Sequence, residues 1–177
     1  TENWNRPDKE VATLIDILSR ALRDETQSLH QQGVRIRHIG RLDHLPGSIQ
    51  KSISESVECT SANDVMTLNV ALDYGGRAEI IAAIRDMMAD GVSPEDVTEA
   101  VFSEYLYTRD LPDPDLIIRT GGEMRLSNFL LWQASYAEFY STPILWPDFD
   151  EVQVDNALDA YAGRQRRYGN ISAFECS

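Results

Sequence analysis

Val11, Leu14, Ile15, Leu18, Leu22 and Leu29 recur at the helical period and predict one long amphipathic helix after Pro7, a residue suited to a first helical position. Gly33 ends it, and Val34–Ile39 then alternates apolar and polar as a half-buried strand does. Pro46-Gly47 marks a turn before a modest helix over Ser48–Ser61. Met66–Leu72 reads as a second strand, Gly75-Gly76 as a turn, and Arg77–Ala89 as a helix with Ile80, Ile81, Ile84 and Met88 on one side. Gly91 stops it. Ser93-Pro94-Glu95-Asp96 is a helix-start signal, and the spacing predicts a helix from there to about Tyr107. Pro112-Asp113-Pro114 breaks the chain before a short strand, Leu116–Ile118. After Gly121-Gly122 the pattern predicts a helix from near Ser127 to Ala134, a last strand within Phe139–Leu145, and a helix from about Val152 to Tyr168, closed by Gly169.

Strands that alternate with helices predict an α/β fold, a mainly parallel sheet flanked by helices. About four strands is few for such a sheet. Size is that of one domain, taken here as residues 1–177, and a hydrophobic fraction of 42% suffices for a core. Lys plus Arg is 16 against 29 Asp plus Glu, a formal net charge of −13, which argues against a general nucleic-acid binder. Two cysteines, Cys59 and Cys176, make no disulfide framework, and a reducing cytoplasm is the expectation. No apolar run approaches the roughly 20 residues of a membrane span, and no signal sequence opens the chain.

In parallel α/β sheets, ligands gather beyond the carboxyl ends of the strands. The segment Arg119-Thr120-Gly121-Gly122-Glu123-Met124-Arg125-Leu126-Ser127-Asn128 follows a predicted strand and opens a predicted helix. Two glycines permit a tight turn and close approach of a ligand. Two guanidiniums suit phosphate oxygens, and a helix start with Ser127 offers further donors. Together they predict an anion cradle in an acidic protein. Taken singly, each residue has a plainer reading: Ser127 as an N-cap only, and the two arginines as surface ion pairs near Glu123.

The run RTGGEMRLSNFLLWQASYAEFY resembles the hallmark of the cis-prenyltransferases, the family of undecaprenyl diphosphate synthase. TENWNRP at the start, NVALDYGGR and WPDF are similar to further family segments, so the resemblance runs from Thr1 to about Gly169. It implies an enzyme that condenses isopentenyl diphosphate onto an allylic diphosphate such as farnesyl diphosphate, with Mg²⁺, to build a cis-polyprenyl diphosphate lipid carrier. By this resemblance Arg119, Arg125 and Ser127 bind the isopentenyl diphosphate, and Glu138 serves the metal. Glu2, Asn3 and Arg6 belong to a run beside the active site, with Asn3 positioning or deprotonating the homoallylic substrate and Trp4 an aromatic of the same loop. Arg167-Tyr168-Gly169 resembles a tail that reaches the partner's diphosphate. The resemblance also implies a homodimer, formed around Phe139–Phe149, and transient association with a membrane surface through the lipid product. It places an apolar product tunnel along Leu14, Ile15 and Leu18, with Val34, Ile36 and Leu68 facing the same space. Periodicity alone does not separate that tunnel from ordinary core packing, nor Glu138 from an exposed acid, Asn3 from a capping residue, Trp4 from a packing aromatic, or Arg164, Arg166 and Arg167 from a solvated helix end. His30, His38 and His44 have no metal-ligand spacing with Cys59.

The family's other hallmark, a DGNGRW-type segment that holds the allylic diphosphate and its Mg²⁺, does not occur in these residues. The chain begins at Thr1, and the expectation is that it represents the carboxyl-terminal portion of a longer enzyme and is by itself inactive. Two other readings stand beside this one: a non-catalytic accessory subunit of a heteromeric cis-prenyltransferase, and an α/β module for a nucleotide or sugar phosphate. Retention of Arg119, Arg125 and Ser127 weighs against the first, and the lack of a Gly-rich nucleotide fingerprint against the second.

Overall fold

At Gly33 a helix of 24 residues gives way to a strand within three positions. The computed structural model describes residues 7–164, and in it α1 spans Asp8–Gln31 with Pro7 as its N-cap rather than its first turn. Gly33 adopts φ +74, its N–H donates to His30 O at 3.0 Å, and its carbonyl accepts from Val65 N at 3.1 Å. A Cβ there would lie 2.6 Å from Val65 Cγ2, so both the conformation and the space require glycine.

The chain gathers into two compact units, Thr1–Asp110 and Leu111–Ser177. In the first, β1 (Val34–Ile39) and β2 (Met66–Ala71) pair in parallel, Val34 opposite Met66 through Ile39 opposite Ala71. The crossover between them carries α2 (Gly47–Cys59). Leu45, Ile49 and Ile53 are buried, and Ile15, Leu18 and Leu22 of α1 pack on them with Leu42, Val57 and Leu72. Each such side chain contributes about 1.5–3 kcal/mol when fully buried. The outer edge of β1 is closed by side chains: Thr60 Oγ1 accepts from Ile36 N at 2.9 Å, and Asn63 Nδ2 donates to Val34 O at 2.7 Å. After β2 come α3 (Gly76–Ala89), a 3-10 turn at Pro94–Asp96, and α4 (Glu99–Ser103). The single helix expected from Ser93 to Tyr107 is thus two short pieces. Val97 turns extended (φ −72, ψ 106), and Thr98 starts again by accepting Val101 N at 3.2 Å.

In the second unit, β3 (Leu116–Arg119) pairs in parallel with β4 (Glu138–Ser141), Leu116 opposite Glu138 and Arg119 opposite Ser141. The helix α5 (Glu151–Ala162) starts at Asp150, whose Oδ1 accepts Gln153 N at 3.1 Å, and packs against β4. Between the strands the expected helix Ser127–Ala134 is absent. Ser127, Asn128 and Leu130 take φ of 51, 61 and 46, values a right-handed helix excludes, and only a 3-10 turn forms at Gln133–Tyr136. The fold class is as the sequence predicts, α/β with parallel strands flanked by helices.

Candidate functional site

Beyond the carboxyl end of β3 the chain makes a tight turn through Gly121 and Gly122, with φ of +85 and +75. Gly121 N donates to Ile144 O at 2.9 Å and Gly122 N to Thr142 O at 2.8 Å, which ties the turn to the segment after β4. These two donors are therefore spent inside the protein. With no helix opening at Ser127, the helix-terminus part of the expected cradle is absent as well. The segment also carries side chains suited to an anion.

Arg119, the last residue of β3, and Arg125 both hold Glu123. Arg119 Nη2 donates to Oε2 at 2.7 Å, and Arg125 Nη2 pairs with Oε1. Glu123 is fixed in turn from its backbone, where its carbonyl accepts Ser141 Oγ at 2.9 Å. The hydrogen bond from Arg119 holds the Glu123 carboxyl below the usual carboxylate range; partial burial opposes this, and the Arg125 charge adds to it. Two guanidiniums thus converge on the two oxygens of one anion, the arrangement suited to a phosphate. The plainer expectation, that these arginines form ion pairs near Glu123, describes the same contacts. Arg119 is about a third exposed and Arg125 more than half. Ser127 is exposed, and its left-handed backbone removes it from an N-cap role.

Glu138 lies elsewhere. It opens β4 opposite Leu116, three residues back along β3 from Arg119, roughly 10 Å by strand rise. Its Oε2 accepts Arg164 Nη1 at 2.5 Å, and Arg164 Nη2 reaches Phe139 O at 3.0 Å. Among the described residues no group of three or more His, Cys, Asp or Glu is placed to hold a metal ion. Asn3, Trp4 and Arg6, with Glu2, and Arg167, Tyr168 and Gly169 lie outside the described residues. Of the tunnel positions, Ile15 and Leu18 pack on the α2 cluster and Val34 and Ile36 are buried, while Leu14 and Leu68 are partly exposed.

In the first unit, two further acidic positions have structured surroundings. Glu79, 1% exposed, accepts Tyr74 Oη at 2.5 Å and Tyr107 N at 2.9 Å. Asp73, with φ 48 and a fully buried side chain, holds His44 Nδ1 at 2.9 Å. Glu79 follows a Gly-Gly turn at the position of a first-turn acid, so the pattern reads as a capping charge rather than a core group.

A family model described as "Putative undecaprenyl diphosphate synthase" matches residues 1–169. The chain belongs to this family, the cis-prenyltransferases. It is 48% identical over 171 residues to the isoprenyl transferase of Fusobacterium nucleatum, covering 97% of this chain and 73% of that one. It is 43% identical over 181 residues to the ditrans,polycis-undecaprenyl-diphosphate synthase ((2E,6E)-farnesyl-diphosphate specific) of Yersinia pseudotuberculosis, covering 100% and 72%. Its fold is similar to that in the crystal structure of lavandulyl diphosphate synthase from Lavandula x intermedia in complex with dimethylallyl diphosphate, at a TM-score of 0.92 and 40% identity over 96% of this chain and 75% of that one. No helix among the described residues is long and apolar enough to cross a membrane. The relatives it resembles are named as prenyl transferases.

Proposed function

We propose that this cis-prenyltransferase takes part in condensing isopentenyl diphosphate with an allylic diphosphate, such as farnesyl diphosphate, to give a polyprenyl diphosphate. The observation that carries the proposal is the convergence of Arg119 and Arg125 on one anionic group beyond the end of β3. In this reading the pair grips the diphosphate of the isopentenyl unit, with Ser127 beside it. Two planar forks on neighbouring oxygens fix both position and rotation of the headgroup, which brings the isopentenyl double bond to the forming allylic cation. Asn3 orients that unit or receives its proton, Trp4 and Arg6 line the same loop, and Arg167 and Gly169 reach the diphosphate from the partner of a homodimer.

Mg²⁺ is bound in such sites by one or two carboxylates together with substrate phosphates. Glu138 is the described residue that would contribute one, on exchanging Arg164 for the cation. The ion, when bound, offsets the negative charge of the departing diphosphate. The remaining steps belong to the protein: guanidinium forks hold the headgroup, and apolar side chains that cover the growing chain gain about 0.8 kcal/mol per buried CH₂. We further propose a cytoplasmic enzyme that meets the membrane surface through its lipid product.

The 177 residues alone are expected to bind isopentenyl diphosphate without turnover, since no DGNGRW-type segment for the allylic diphosphate occurs among them. The test is product formation by the protein as its gene encodes it, with farnesyl diphosphate, labelled isopentenyl diphosphate and Mg²⁺. An extractable polyprenyl product is expected, and its absence ends the proposal.

A further inference from the structure

Arg119 and Arg125 already share an anionic partner within the chain. Arg119 and Arg125 each hold one oxygen of Glu123, and the backbone of Glu123 is anchored to β4 through Ser141. A carboxylate and a phosphate compete for the same guanidinium donors, because both present paired oxygens to a planar fork. An incoming anion must therefore break two charge-assisted contacts before it makes its own. The hydrogen bond from Arg119 and the Arg125 charge also favour the ionised form of the Glu123 carboxyl.

We propose that Glu123 is a built-in competitor of the diphosphate: its carboxylate occupies the arginine pair until a ligand displaces it, and so sets the affinity of the site. This rests on the assignment of Arg119 and Arg125 to the substrate diphosphate. The geometry gives the competitor three properties. It is tethered, so its effective concentration is high and independent of the solution. It is a monoanion, so a ligand with more negative charge and more oxygens displaces it more readily than orthophosphate or sulfate does. It is partly exposed, so solvent and solutes reach the carboxylate.

Removing the competitor should strengthen anion binding, the opposite of what removing a binding residue does. Glu123→Gln keeps the shape and the backbone contact to Ser141 but replaces the charged acceptor with a neutral one. Glu123→Ala removes the acceptor and guards against an amide that substitutes for it. The probes are inorganic pyrophosphate and orthophosphate, titrated calorimetrically into wild type, Glu123→Gln and Glu123→Ala at fixed ionic strength. Both variants are expected to bind pyrophosphate and orthophosphate about tenfold more tightly, as loss of a charged hydrogen-bond competitor implies. Unchanged or weaker pyrophosphate binding in both variants, with thermal melts like wild type's, overturns the inference and leaves the arginine assignment standing. Binding by no form of the protein removes both.

Discussion

Two glutamates, Glu79 in the first unit and Glu123 in the second, each engage two partners through their two oxygens, and they are built for opposite ends. Glu79 is 1% exposed and held by a phenol and a backbone N–H. These partners belong to the framework. Glu123 is half-exposed and held by two side-chain cations that are long, planar and suited to any oxyanion. Burial with neutral donors makes a carboxylate a permanent strut, whereas exposure between cations makes one replaceable. The same residue type marks a structural joint in one unit and a candidate binding site in the other.

That contrast breaks most readily at the strut. Glu79→Ala leaves Tyr74 Oη and Tyr107 N without their shared acceptor and should cost about 3 kcal/mol in a urea titration. Glu79→Gln should fall between, since the Tyr74 hydroxyl can turn to accept from the new amide. Both should leave pyrophosphate affinity unchanged in the folded protein. Glu123→Ala should do the reverse, altering anion binding while the urea midpoint stays near wild type's. A large stability loss at Glu123 would show that the second site is a strut too.

A smaller effect sharpens the comparison within the first unit. Burial lowers the pKa of His38 from the ordinary 6.5, against a hydrogen bond to Leu72 O at 3.1 Å and the charge of Asp73, both of which raise it. The folded protein therefore takes up this proton less readily than the unfolded chain. Below about pH 6.5 the unfolded state holds more protons, and stability falls as pH drops towards the folded value. Urea midpoints measured from about pH 7 to about pH 5 should decline less steeply in His38→Asn than in wild type. Equal slopes would show that His38 contributes nothing to the acid side of the stability curve.

Much of the first unit was legible because its elements carry strong periodicity: α1, β1, α2, β2 and α3 fall within about two residues of the expected bounds. The failures have local causes. Phe129–Trp132 is apolar enough to suggest a helix, yet Ser127, Asn128 and Leu130 are left-handed, and the Gly-Gly turn spends its N–H groups on Thr142 and Ile144. Only the tolerance of Asn for that conformation hinted at it. Thr98, a capping residue two positions after a 3-10 turn, carried the signal for a divided helix. At the site, Arg119 and Arg125 were legible from their position after a strand. Their pairing with Glu123 was legible too, as the plainer expectation of ion pairs, because the three residues lie within seven positions of one another. Glu138 and Arg119 fall at opposite ends of the same strand pair, a separation that only the register reveals.

The central claim is that Arg119 and Arg125 together form a diphosphate site, and titration of isopentenyl diphosphate tests it most directly. Arg20, exposed and paired with Asp16 on α1, supplies a control for loss of one positive charge. The account predicts that Arg119→Ala and Arg125→Ala each weaken binding by tenfold or more, roughly the worth of one charge-assisted contact, while Arg20→Ala binds as wild type does. Equal affinity across wild type and all three variants would contradict it.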